Sequence, residues 1–230
     1  MDPRLDLDTV IRPNLARMED ELIINLFGRS WFKANGLIYV EGGIPIKEFL
    51  GCYLDFLHKE VEKAHALAGR FNHPEEYPFF EDLPGMVALR DEVSSPVRRT
   101  NSNPNPRIRE VYLSLLGDFC EEGDDGQYGS AALLDIACLH TLSKRIRYGR
   151  YVAESKYQGD PLGYQKLIDA QDREGIIDKL RDLDVEREVL CRVREKGDRY
   201  GVDPQFVEGI YEKNIIPMTI DEEVDYFYER

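Results

Sequence analysis

At 230 residues, 42% hydrophobic and 32% charged, the chain is long enough for one large domain, and no low-complexity tract or linker divides it, so residues 1–230 read as a single unit. Its 44 acidic against 30 basic side chains, a formal net charge of −14, make it a poor counterion for a phosphate backbone, which argues against a general binder of nucleic acid or anionic membrane. Cys52, Cys120, Cys138 and Cys191 stand apart, with no CxxC and no His at metal spacing, so no metal site is expected. "MDPRLDLDTV" lacks an apolar signal core and no apolar run approaches a membrane span, which makes the cytoplasm the default compartment.

Asp8 and Thr9 can cap a first long helix in which Leu15, Met18, Leu22 and Leu26 recur at three and four residues. Pro13 must then lie near its first turn, since proline lacks an N–H and disfavours helical geometry in the residue before it. A second apolar-periodic stretch runs from Phe49 through Tyr53, Phe56 and Leu57 to Ala68, until the three prolines of "NHPEEYPFFEDLPG" break it. "SSPVRRTNSNPNPR" is the strongest loop signal. Helix resumes from Ile108 to Phe119, and "EEGDDGQYGS" makes an acidic, Gly-rich turn.

One long helix is then expected from about Ser130 to Tyr157, with Leu134, Ile136, Leu139, Leu142, Ile146 and Val152 on its apolar side. Further helices fit 161–168, 173–180, 185–200, 204–215 and a stretch after Pro217. Strand-like alternation is confined to "GLIYVEGG". The expected fold class is therefore all-α, a multi-helix bundle with functional groups between helices and no significant sheet.

The basic segment "SKRIRYGRYVAESK" is out of character for so acidic a chain, and it points to a small anion rather than a polyanion. Arg145 and Lys156 are eleven residues apart, about three turns plus 20°, so on one continuous helix both emerge from one face about 16 Å apart. By spacing alone such a pair is more often a solvated face. Asp182 and Glu186, and Thr219 and Glu223, are each one turn apart. Thr219 reads first as an N-cap completed by Glu222 three residues on, and Glu223 as a surface carboxylate. Against an apolar wall Glu223 would instead hold its proton and donate it in a hydrogen bond. His58, His65, His73 and His140 have no evident partner, and no catalytic triad, P-loop or dinucleotide fingerprint is present. Cations, carboxylates and a hydroxyl without a nucleophile suit electrostatic stabilisation of a bound dianion.

At these residues the sequence resembles the all-α chorismate mutases of the AroQ class, in the larger form typified by fungi and plants. The matching stretches, in order along nearly the whole chain, are "ARMEDELIINLFGRSWF", "PEEYPFFEDLP", "LSKRIRYGRYVAESKYQGD", "LIDAQDREGI", "YGVDP" and "IIPMTIDEEVDYFYER". The resemblance implies rearrangement of chorismate to prephenate in phenylalanine and tyrosine biosynthesis, an isomerase reaction with no cofactor, in a cytoplasmic homodimer.

By the same resemblance, Arg145 binds one substrate carboxylate and Arg12 reaches the other, while Lys156 holds the ether oxygen and a carboxylate. Glu186 receives the substrate hydroxyl, with Asp182 orienting the site. Thr219 and Glu223 occupy the motif positions of the last helix, Glu223 donating its proton to the ether oxygen. Asp182 departs from the Asn usual in fungal members but matches the smaller bacterial ones.

The effector pattern departs further. Of an Arg-Arg pair only Arg70 is present, after Gly69; Gly129 and Ser130 are kept, and Leu133 stands at a Thr position. That implies an activated enzyme unresponsive to tyrosine or tryptophan. Two alternatives stand beside the mutase: a non-catalytic helical regulatory protein on the same scaffold, and a lyase acting on isochorismate.

Overall fold

The computed structural model of the protein describes residues 2–89, 91 and 94–230. Its helices are α1 (Arg12–Ser30), α2 (Tyr53–Leu67), α3 (Asn105–Phe119), α4 (Tyr128–Arg147), α5 (Gly149–Gly159), α6 (Pro161–Asp169), α7 (Arg173–Leu180), α8 (Leu183–Tyr200), α9 (Pro204–Ile210) and α10 (Ile216–Glu229). No strand occurs among the described residues; "GLIYVEGG" holds a short 3-10 turn, Gly36–Tyr39.

Pro13 sits in the first turn of α1, where its missing N–H costs nothing. The expected caps Asp8 and Thr9 lie inside the helical segment, past its actual cap at Asp6. A wider π turn, Leu7–Ile11, precedes α1, and Asp6 caps it by accepting the Thr9 amide at 2.7 Å. Pro161 likewise opens α6 behind the Asp160 cap, and Asp172 caps α7.

The single helix expected from 130 to 157 is two. α4 ends at Arg147, Tyr148 takes φ −65° and ψ −14°, and α5 begins at Gly149. The interruption falls where α10 lies close against Gly149. A Cβ on Gly149 would lie 2.9 Å from Thr219 Cγ2 and 3.1 Å from both Glu223 Cγ and the Thr219 carbonyl oxygen. Apolar periodicity runs on across this point because both helices bury the same side, so the pattern hides the break.

Three hydrophobic clusters hold the bundle, one of them, with Leu54 of α2 against Ala131, Ala132 and Ile136 of α4, at the α2–α4 contact. Leu22, Ile23 and Leu26 of α1 meet Leu139, Leu142 and Ile146 of α4, with Val193 of α8 and Ile215 and Met218 near the start of α10. Val152 and Ala153 of α5, Tyr164 of α6, Ile176 of α7, and Val224 and Phe227 of α10 form the third. Each fully buried Leu, Ile or Val side chain contributes roughly 1.5–3 kcal/mol.

A buried ion pair adds direction to the α1–α4 contact. Arg29 Nε donates to Asp135 Oδ1 at 2.7 Å with both side chains fully buried, and the hydroxyls of Tyr39 and Tyr112 donate to the same carboxylate at 2.8 and 2.6 Å. Every remaining Arg29 donor meets a carbonyl or Tyr39, so the charge is compensated within the fold.

Candidate active site

The basic segment divides its cations among three tasks. Lys144 turns to the acidic loop at Glu75 and Glu76, 3.8 and 3.3 Å away. Arg147 and Arg150 are buried: Arg147 stacks on Tyr77 at 3.6 Å and donates to the Ser102 carbonyl, and Arg150 donates to the Tyr77 hydroxyl and the Pro74 and Arg98 carbonyls. These two arginines strap the Pro-rich loops onto the bundle. Only Arg145 and Lys156 face a cavity together.

That cavity, about 230 Å³, is walled by Arg12, Arg145, Lys156, Asp182, Glu186, Thr219 and Glu223, with Leu15, Val152, Leu180, Val189, Ile216 and Ile220 as its apolar surface. The seven polar positions singled out in the sequence thus come together from α1, α4, α5, the start of α8, and α10.

Arg145 is 4% exposed and lies 6.0 Å from the Tyr211 ring; among the described residues its Nε and Nη1 have no hydrogen-bond partner. Buried donors are normally paired, and each one left unmade costs about 1–3 kcal/mol, so a guanidinium with unpaired donors on a cavity wall could receive an anion. Lys156 parks its ammonium on the carbonyl of Leu180. Arg12 pairs with Asp8 one turn before it, at an exposed position where such a pair is readily exchanged for another acceptor.

Glu223 is 6% exposed, and burial pushes its carboxyl up to about 7; Glu186 pushes the same way, while Lys156 and Arg145 oppose. At neutral pH a large share of it therefore keeps the proton and can donate it. Glu186, by contrast, is held by a bidentate pair with Arg181 at 2.9 and 2.7 Å.

Asp182 serves the site through the backbone. It caps α8, its Oδ1 accepting the amides of Asp184 and Val185 at 3.2 Å each, and so fixes the turn that carries Glu186.

Thr219 corrects the capping expectation. It lies inside α10, one turn past the start, and its hydroxyl donates to the Ile215 carbonyl at 2.7 Å. Continuation of helix from the π turn Tyr211–Ile215 through Pro217 leaves no free amides there to cap. Its supposed box partner Glu222 is 2% exposed and faces Arg147 and Arg150 at 3.5 and 3.6 Å, burial raising its carboxyl to about 7.

The histidines are not partnerless either. His58 and His140 meet through their Nε2 atoms at 3.0 Å, and His140 Nε2 lies 3.1 Å from Glu62 Oε1, all three buried. Their ligand atoms could enclose a metal ion, but the surroundings favour a hydrogen-bond clamp. Arg70 donates to His140 Nδ1, which leaves that ring's proton on Nε2, aimed at the carboxylate. Glu62 already accepts the amides of Phe79 and Phe80, and its carboxyl is lowered to about 2 by His140 and His58 against the effect of burial. Periodicity could not reveal this cluster, because its members are 78 or more residues apart across two helices, except for the His58–Glu62 step.

Within one chain the effector candidates, which the resemblance implies meet at a dimer interface, lie apart. Arg70 pairs with Glu76 and lines a separate cavity of about 330 Å³ with Leu133 and Lys144. Gly129 and Ser130 begin α4, ten residues before His140 and so about 15 Å along the axis from it.

Among the described residues no helix is long and apolar enough to cross a membrane. The family model described as chorismate mutase type II matches residues 127–224. The chain is 37% identical to the chorismate mutase of Schizosaccharomyces pombe, over 96% of this chain and 94% of that one. It is 35% identical to that of Saccharomyces cerevisiae, over 96% and 93%. Among solved structures, the Candida albicans chorismate mutase in complex with L-Trp superposes with a TM-score of 0.93 at 33% identity, covering 98% of this chain and 92% of that one. AtCM1 with tyrosine bound in its allosteric site gives 0.91 at 34%, covering 100% and 98%.

Proposed function

The chain belongs to the chorismate mutase family, and from that premise we propose that it rearranges chorismate to prephenate in the cavity between α1, α4, α5, α8 and α10. The observation that carries the reading is Arg145, a buried guanidinium that lines this cavity beside Lys156 and Glu223 and has two donors without a partner among the described residues.

Arg145 and Arg12 take the two carboxylates of the substrate. Lys156 exchanges the Leu180 carbonyl for the ether oxygen, and Glu223, protonated, donates to the same oxygen. Glu186 accepts the ring hydroxyl, and Thr219 walls the oxygen side. As the C–O bond breaks and the new C–C bond forms within one molecule, negative charge gathers on the ether oxygen. Lys156 and Glu223 then bind the transition state more tightly than the ground state, which is the condition for acceleration. The apolar wall of Leu15, Val152, Val189 and Ile220 holds the flexible substrate in a reactive shape and keeps water from the two donors. The reaction is intramolecular and calls for no cofactor.

We further propose a cytoplasmic homodimer acting as a single unit of residues 1–230. Support for the dimer comes from exposed apolar side chains, Ile24 on α1, Trp31 just past its end and Leu133 on α4, at 48%, 72% and 51%. Because Leu133 replaces a hydroxyl in the cavity that Arg70 lines, the rate is expected to ignore added tyrosine and tryptophan.

The test is a continuous ultraviolet assay of chorismate loss, with prephenate identified as product, run beside Lys156→Ala. Rapid conversion that the substitution abolishes establishes the reaction and the role of Lys156. A folded protein that leaves chorismate untouched from pH 5 to 8 sinks the reading.

A further inference from the structure

Arg181 was not among the residues the sequence singled out, yet it walls the same cavity. It is the first residue past α7, extended at φ −70° and ψ 141°, and its side chain reaches across the short turn to Glu186 in the first turn of α8. Nε donates to Oε1 at 2.9 Å and Nη2 to Oε2 at 2.7 Å, the fork-to-fork arrangement that fixes a carboxylate's plane as well as its position.

A second cavity, of about 410 Å³, lies on the other side of this pair, and the two spaces share Arg181, Glu186, Ile216 and Ile220 as their common wall. The guanidinium side chain is 42% exposed and the carboxylate 20%. At that exposure an ion pair contributes little to folding stability. What bears on the site is its geometry, on the wall of the inner cavity.

A glutamate on the first turn of a helix has three side-chain torsions to restrict before it can present one oxygen to a ligand. The fork of Arg181 removes that freedom in advance. It takes one acceptor position on each oxygen and leaves the others open, so the oxygen facing the inner cavity can still receive a hydroxyl. Both Glu186 oxygens accept from the fork, so in this geometry Glu186 faces the cavity as an acceptor.

We propose that Arg181 is a positioning residue for the substrate hydroxyl, acting through Glu186, which it orients from the wall between the two cavities. This rests on the reading that Glu186 accepts the ring hydroxyl of chorismate. The interaction exists before and during the rearrangement alike, so its loss raises KM and leaves kcat nearly unchanged.

The experiment compares chorismate with an analogue lacking the ring hydroxyl, on the unmodified protein, Arg181→Ala, Arg181→Lys and Glu186→Gln, with thermal melts as a check on folding. For Arg181→Ala, kcat/KM on chorismate is expected to fall about tenfold, the weight of one charge-assisted hydrogen bond, mostly through KM. On the analogue it should change less than about twofold, since the interaction lost there was never made. Arg181→Lys, which keeps the charge and loses the fork, should fall between the two. An equal loss on both substrates, or no loss on either, overturns the proposal. Glu186→Gln separates the premises. If it narrows the preference for the hydroxylated substrate and Arg181→Ala does not, the reading of Glu186 stands and the role of Arg181 fails. If it leaves that preference unchanged, the reading of Glu186 fails and takes the role of Arg181 with it.

Discussion

Gly149 and Glu223 touch where α5 meets α10: the Cβ that glycine lacks would stand 3.1 Å from Glu223 Cγ, 2.9 Å from Thr219 Cγ2 and 3.1 Å from the Thr219 carbonyl oxygen. Two effects of Gly149→Ala oppose each other. Helix propensity favours alanine by about 0.8–1.0 kcal/mol, while forcing a methyl group against a backbone oxygen and a buried side chain costs typically 1–3 kcal/mol. Since the backbone oxygen cannot rotate away, the contact wins. The expected outcome is a net loss of up to about 2 kcal/mol in urea unfolding. Activity should fall about tenfold or more, because Glu223 moves away from the ether oxygen. A stabilised variant with normal activity would show that the helices separate at no cost.

Glu223 gives the site a pH dependence with a definite sign. Only its protonated form donates, so kcat/KM should decline as pH rises through about 7, and Glu223→Gln, a donor at every pH, should flatten that limb. Stability follows the same group. A carboxyl raised from 4.5 to about 7 by folding contributes stability that is complete below about pH 4.5 and lost as pH rises through about 7. The difference is on the order of 3 kcal/mol. Urea melts at pH 5 and pH 8 should show Glu223→Gln gaining on the parent at the higher pH. Parallel curves at both values would remove the buried acid from the account.

Which cations of "SKRIRYGRYVAESK" serve the site could not be read from their spacing. All five lie within fourteen residues, and the difference lies in what approaches each from elsewhere: Tyr77, Ser102 and Glu222 for Arg147, a cavity for Arg145. The helices themselves were legible because each buries one face, and α7 begins and ends where caps and periodicity put it. The break at Tyr148 was not, since apolar periodicity continues across it; it coincides with the close approach of α10 at Gly149. Thr219 shows the same limit. A Pro-x-Thr pattern reads as a helix start, but α10 is entered from a preceding turn that is already helical. Resemblance, not spacing, joined Arg12 and Lys156 to Glu223, and the cavity that seven such residues share comes from segments more than 200 residues apart.

The Arg29–Asp135 pair predicts a stability effect without a site effect. Asp135→Ala leaves a fully buried guanidinium without its counter-ion and strands the hydroxyls of Tyr39 and Tyr112. Removing one partner of such a pair costs about 3–5 kcal/mol. Urea unfolding should show a loss of that size, with KM at 25 °C unchanged in the fraction that stays folded. A loss under about 1 kcal/mol would mean that water reaches Arg29 and compensates it.

Arg145 should show the opposite balance. Among the described residues its Nε and Nη1 are buried donors without a hydrogen-bond partner, beside the Tyr211 ring at 6.0 Å, and such unmade bonds cost folding free energy. Arg145→Met keeps most of the side chain's packing and removes those donors, so the variant should gain about 1–3 kcal/mol in urea unfolding without substrate. Its activity should drop about 10²–10³-fold, the usual consequence of deleting a preorganised charge from a reacting site. The two measurements bear on each other. A variant that loses activity and stability together would make Arg145 a structural cation, satisfied by the fold. A variant that gains stability and loses activity would show that the fold tolerates strain at this position for the sake of the anion it binds.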